Sequence, residues 1–98
     1  MKNCKRIEIK KAARKFLNSC SYKNRVRLMT KIYELPDSTQ TKKMERYDNR
    51  YRLRVGDFRV LYELNKEITI VENETVETII LVILILDIGN RETFINRS

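Results

Sequence analysis

A chain of 98 residues that is 42% hydrophobic can build one small domain around one modest core. One proline and two glycines leave no linker composition to divide it, so residues 1–98 are expected to fold as a single unit. The formal charge of +8 directs attention to anionic partners, whether nucleic acid, anionic membrane or acidic protein. The sequence contains no histidine, which excludes a histidine-based serine triad and removes the commonest neutral-pH acid/base and zinc ligand. The carboxylates spell no metal-binding motif and there is no glycine-rich phosphate loop, so no cofactor is expected.

The charge is unevenly spread. Residues 1–63 hold 18 Lys/Arg against 7 Asp/Glu, whereas residues 64–98 hold 3 against 6. Cys4 and Cys20 form neither a CxxC pair nor a ligand cluster, and read as small buried apolar side chains in a reducing compartment. The amino terminus is charged from its second residue, and the eight apolar residues at 79–86 are far fewer than the roughly 20 of a spanning helix. A cytoplasmic protein is expected.

Along the chain, residues 4–10 alternate with Ile7 and Ile9 on one side and predict a first strand. From Lys11 the period becomes helical, with Ala13, Phe16, Leu17 and Cys20 on one face and Lys11, Arg14 and Lys15 opposite. Ser21 is placed to cap a second helix over 22–35 that buries Val26, Met29, Ile32 and Tyr33 and ends at Pro36. A polar connection with Lys42 and Lys43 follows, and Met44 anchors the approach to the next strand.

Residues 51–55 and 58–64 predict an antiparallel pair around a Gly56-Asp57 turn. Strand alternation puts Leu53 and Val55 in the core and Arg52 and Arg54 on the other side. Residues 68–71 either continue the second strand or form a short one, and Asn73-Glu74 offers a turn. A long strand is expected over 76–88, with Gly89 releasing the chain toward a short terminal strand. The expected fold class is α+β, in the order β-α-α-β-β-β, with a small antiparallel sheet packed against two amino-terminal helices.

Arginine, lysine and tyrosine around a sheet can support metal-independent cleavage of RNA. The ribose 2′-OH is the nucleophile, and the protein has only to align it, neutralise charge at phosphorus and help the 5′-oxygen leave. Arg59 suits the charge-stabilising role because a guanidinium forks two phosphoryl oxygens; pairing with Asp57 or Glu63 is the competing reading. Arg52, Arg54 and Arg91 are the other candidates, with high pKa values that favour phosphate binding over proton abstraction. Lys11, Arg14, Lys15, Lys42, Lys43 and Arg50 extend the electropositive surface. Tyr51, Phe58 and Tyr62 favour core packing over base stacking.

The run YRLRVGDFRVLYEL at 51–64, followed by DIGNRETF at 87–94, resembles the RelE side of the RelE/ParE toxin superfamily. The helical pair and the segment KKMERYDNR fit the same pattern, so the resemblance spans nearly the whole chain. It implies the toxin of a type II toxin–antitoxin system, an endoribonuclease that cuts messenger RNA in the ribosomal A site and leaves a 2′,3′-cyclic phosphate. It further implies a RelB-like acidic antitoxin as partner. By position, Arg52 and Arg54 match the two basic residues of the first motif strand, Arg59 the phosphate-stabilising arginine, and Arg91 the second essential basic residue. Two departures stand out. Phe94 and Ile95 lie where relatives often carry a tyrosine, and residues 66–77 make a longer link than usual. A ParE-like inhibitor of DNA gyrase and a catalytically weak, antitoxin-binding homologue are the alternatives.

Overall fold

The computed structural model describes residues 3–37, 41–44, 46, 48–70 and 77–90. The chain opens with strand β1 (Asn3–Ile9), followed by helices α1 (Lys11–Ser19) and α2 (Tyr22–Tyr33). Four strands follow: β2 (Thr41–Lys43), β3 (Arg50–Val55), β4 (Phe58–Ile70) and β5 (Glu77–Asn90). They form one sheet in the order β1-β5-β4-β3-β2.

The α+β class and the helical pair agree with the sequence reading, but the sheet is mixed rather than wholly antiparallel. β1 runs parallel to β5, and every other neighbouring pair is antiparallel. A parallel pair needs a long crossover, and here both helices and three strands intervene between its members. Local alternation carries no information about that distant partnership. The short β2 adds a fifth strand where a connection was expected. Residues 68–70 continue β4, and Gly89 stays within β5 instead of ending it. The Asn73-Glu74 turn, the terminal strand and Arg91 lie outside the described residues.

One face of the sheet carries the core. Ala13 and Leu17 from α1, Leu28 and Ile32 from α2, and Leu35 beyond it pack on Leu53, Val55, Val60, Tyr62, Ile83, Ile85 and Ile88. Ser21 caps α2 as its sequence position implied, its hydroxyl accepting the Asn24 N–H at 3.3 Å. At the other end, the Lys5 ammonium reaches from β1 to the Tyr33 and Leu35 carbonyls, satisfying acceptors that the helix end leaves open. The expected stripe of α2 is corrected in two places. Val26 and Tyr33 are exposed, because Leu28 and Ile32 define the inward direction and the other two project to the side. Cys4 is exposed too: it alternates with the core-facing Ile7 and Ile9 on β1, and Cys20 is only partly buried.

An irregularity in the β4–β5 ladder governs which residues share a face. Leu61 pairs with Asp87, but Tyr62 pairs with Ile85, so Leu86 is an extra residue on β5. That single insertion lets Ile85 and Ile88 both enter the core although they are three residues apart. It also turns Asp87 and Gly89 to the opposite face.

Candidate nucleic-acid interface

The sheet face away from the helices gathers the central arginines. Leu53 and Val55 are buried, so the strand period sends Arg52 and Arg54 outward, and both are exposed. In the β3–β4 register Arg54 stands directly opposite Arg59, and Arg52 opposite Leu61. Lys42 on β2 extends the second row, because it pairs with Arg52. On its other side Arg59 faces Gly89, which brings no side chain to the row.

Directly opposed residues place their Cβ atoms about 4.5–5.5 Å apart, and like charges there are destabilising. Arg54 has no carboxylate partner among the described residues, and neither does Arg52. Arg59 is half-buried and folds over the turn that precedes it. Its Nη1 donates to the Gly56 carbonyl at 3.2 Å and to the Phe58 carbonyl at 3.0 Å. The turn itself depends on Gly56, whose φ of +58° suits glycine, with the Arg27 guanidinium packed against it.

Arg50 lies one row further along the same face, but it is engaged: its Nε sits 3.4 Å from Glu63 Oε2. Asn65 and Asn49 donate to Glu63 Oε1 at 3.1 and 3.3 Å. These bonds, the one from Asn65 foremost, hold the Glu63 carboxyl below its usual range against the opposing effect of desolvation. Arg50 therefore anchors the edge of the basic area through a structural pair.

The remaining sequence candidates fall elsewhere. Lys43 pairs with Tyr51 and so belongs to the other face of the sheet. Lys11, Arg14 and Lys15 line an open groove of about 400 Å³ along α1, together with Asn18 and Ser19. The sheet separates this groove from the arginines. The aromatic residues are core elements, as their pattern implied. Tyr51 stacks on Tyr62 with centroids 5.5 Å apart, and Phe58 meets Phe16 edge-on at 5.8 Å. Burial pushes the Tyr62 phenol upward, offset in part by a hydrogen bond with Thr41. Sequence reading missed Asp87 and Gly89 as neighbours of the arginine rows, since only the displaced register brings them there.

No protein-family model matches the sequence, and no curated protein matches it either. The solved structures do provide a match. Over 93% of this chain and 98% of the other, the backbone resembles a chain from the crystal structure of the RelB–RelE antitoxin–toxin complex of Methanococcus jannaschii. The TM-score is 0.63 and the identity 21%. The fold is RelE-like. Within that RelE-like fold, the helices occupy one side of the sheet and Arg52, Arg54 and Arg59 share the other. No helix among the described residues is long and apolar enough to cross a membrane.

Proposed function

We propose that this chain is the toxin of a toxin–antitoxin pair and that it cuts messenger RNA on the ribosome. The observation that carries the reading is the opposed pair Arg54 and Arg59, with Arg52 and Lys42 in the adjoining row. Arg54 has no carboxylate partner among the described residues, and a phosphodiester beside it would supply an anion for its guanidinium to fork. The likeness to a chain of a RelB–RelE antitoxin–toxin complex supports an antitoxin as the protein partner; the net charge of +8 favours an acidic one, and action on ribosomes implies a cytoplasmic setting.

In the proposed reaction the ribose 2′-oxygen attacks phosphorus and the bond from phosphorus to the 5′-oxygen breaks. The products are a 2′,3′-cyclic phosphate and a 5′-hydroxyl. The proton lost by the 2′-OH and the one gained by the 5′-oxygen balance. Arginine is a poor proton acceptor because it stays charged, so Arg54 and Arg59 stabilise the extra negative charge at phosphorus and hold the strand in line. Water or groups of the ribosome carry the protons. Arg52 and Lys42 bind the neighbouring phosphates, and Arg91 is assigned a phosphate or leaving-group contact from the sequence motif alone.

The test is primer extension on messenger RNA in a purified translation system. Cuts within the A-site codon should appear with the unaltered protein and vanish with Arg54→Ala or Arg59→Ala. Intact message at saturating protein would refute the cleavage. A catalytically weak, antitoxin-binding homologue is the second reading, favoured by a face that gathers guanidinium groups, which have no acceptor for the 2′-OH proton. Such a protein would bind its antitoxin and leave the message whole.

A further inference from the structure

Arg27 of α2 reaches the tip of the β3–β4 hairpin from the helical side of the sheet. A Cβ built on Gly56 would lie 2.5 Å from its Nη2 and 2.9 Å from its Cζ, so the guanidinium occupies the space that a side chain at position 56 would fill. Arg59 approaches the same residue along β4, its Nη1 donating to the Gly56 carbonyl at 3.2 Å. The two guanidinium groups therefore stand no more than about 10 Å apart across one turn residue. Arg54, two residues before the glycine, is directly opposite Arg59.

The fold makes no use of the Arg27 charge. It forms no ion pair among the described residues, although Asp57 is the next residue of the turn. Other basic residues of α2 are engaged: Arg25 donates to the Leu17 and Asn18 carbonyls, and Lys31 pairs with Glu34 at 3.5 Å. The spacing of the basic rows gives the charge a use. Lys42 and Arg52 form one row, and Arg54 and Arg59 form the next, two residues on. Two residues advance a strand by about 6.7 Å, a step that successive phosphates of an extended single strand can match. Position 56 is the next step of two, and there Arg27 supplies the guanidinium that glycine lacks.

We infer that Arg27 is a further phosphate contact of the RNA-binding face, taking the strand where it passes from Arg54 and Arg59 over the Gly56 turn. This rests on the reading of that face as an RNA site, and it adds a path for the strand. Lys42 and Arg52 hold the phosphate on one side of the cut, and Arg27 holds the phosphate on the other. The strand leaves the sheet at the hairpin tip and turns toward α2. Arg27 acts there by charge and by its planar fork, with no part in moving protons.

The probe is a single-stranded RNA oligonucleotide methylated at every 2′-oxygen, which removes the nucleophile and keeps the phosphates. Binding to the full chain is read by fluorescence anisotropy over a salt series. Arg27→Ala should weaken binding about three- to tenfold and flatten the salt dependence by roughly one ion. Arg27→Lys should keep the slope, because the charge remains. Oligonucleotides lengthened one nucleotide at a time should gain affinity at the step that reaches Arg27, and Arg27→Ala should erase that gain alone. Lys31→Ala, on the same helix, should leave binding unchanged, and urea midpoints check that each variant folds. A slope unchanged in Arg27→Ala while Arg54→Ala flattens it would overturn the inference and leave the arginine face standing. Equal losses in Arg27→Ala and Arg27→Lys would overturn it too, since a guanidinium that only packs on the turn behaves that way. Slopes unchanged in both the Arg27 and the Arg54 variants would refute the RNA face itself, and the Arg27 contact with it.

Discussion

Arg54 and Arg59 occupy directly opposed positions on β3 and β4, and Gly89 of β5 completes their row without adding a side chain. Arg54 stands there without a carboxylate partner among the described residues, so its charge favours an anion. Function and stability should therefore separate at this pair.

Arg54→Ala is the cleaner of the two substitutions, since Arg59 also donates to the Gly56 and Phe58 carbonyls. Removing Arg54 should raise unfolding stability by about 0.2–1 kcal/mol, the usual size of a cross-strand term, while RNA affinity falls. Urea denaturation beside a salt series of RNA binding measures both. The loss of one phosphate contact should also flatten the salt dependence by roughly one ion for single-stranded RNA.

Gly56→Ala should destabilise the β3–β4 turn. A Cβ there would lie 2.5 Å from Arg27 Nη2, but a guanidinium at the end of a flexible chain can swing away. The positive φ cannot be relieved so easily, and an L-residue there costs about 1–2 kcal/mol. Backbone strain is thus the larger effect. Gly56→Ala combined with Arg27→Ala should remain nearly as unstable as Gly56→Ala alone, and Gly56→Asn should be milder.

Glu63 supplies an acid-sensitive contribution. Its folded pKa is lowered by the Asn65, Arg50 and Asn49 contacts, so the native state favours the carboxylate. The resulting stability is fully present above the unfolded pKa of about 4.3 and is lost as pH falls through the lower folded value. Glu63→Gln should flatten the acid limb of a urea-midpoint profile in that window. A limb unchanged in Glu63→Gln would remove Glu63 as its source.

Tyr62 acts at the opposite end of the pH scale. Burial raises its folded pKa, so its contribution is fully present below the unfolded value of about 10 and is lost as pH rises through the folded one. Tyr62→Phe should weaken the alkaline limb while preserving the stack on Tyr51. Ultraviolet titration of the phenolates, followed beside unfolding, checks it.

Ser21→Ala should cost about 1 kcal/mol, because the Asn24 N–H loses its acceptor at the start of α2. Ser21→Gly should cost less. Thermal unfolding of the two variants ranks them.

Strong local periodicity made much of this molecule readable from its residues. The alternation of Arg52, Leu53, Arg54 and Val55 placed each on its side of β3, and Gly56 located the turn, because a strand's faces follow from counting by two. The inward face of α2 was harder to read. Apolar residues lie on two of its sides, and only packing on the sheet decided that Leu28 and Ile32 go in while Val26 and Tyr33 stay out. Lys11, Arg14 and Lys15 were recognised as basic, yet nothing local could reveal that the sheet stands between them and Arg59.

By itself, then, the sequence determined an α+β chain with an arginine-bearing strand pair, since local period and turn chemistry depend on nearest neighbours. Tertiary structure decided which strands meet and in what register. β1 joined β5 in parallel, and the extra residue Leu86 sent Ile88 to the core and Gly89 to the row of Arg54 and Arg59. Apolar residues fill both faces of that strand before the irregularity, so its own pattern could not choose a side. Burial against α1 and the neighbouring strands made the choice.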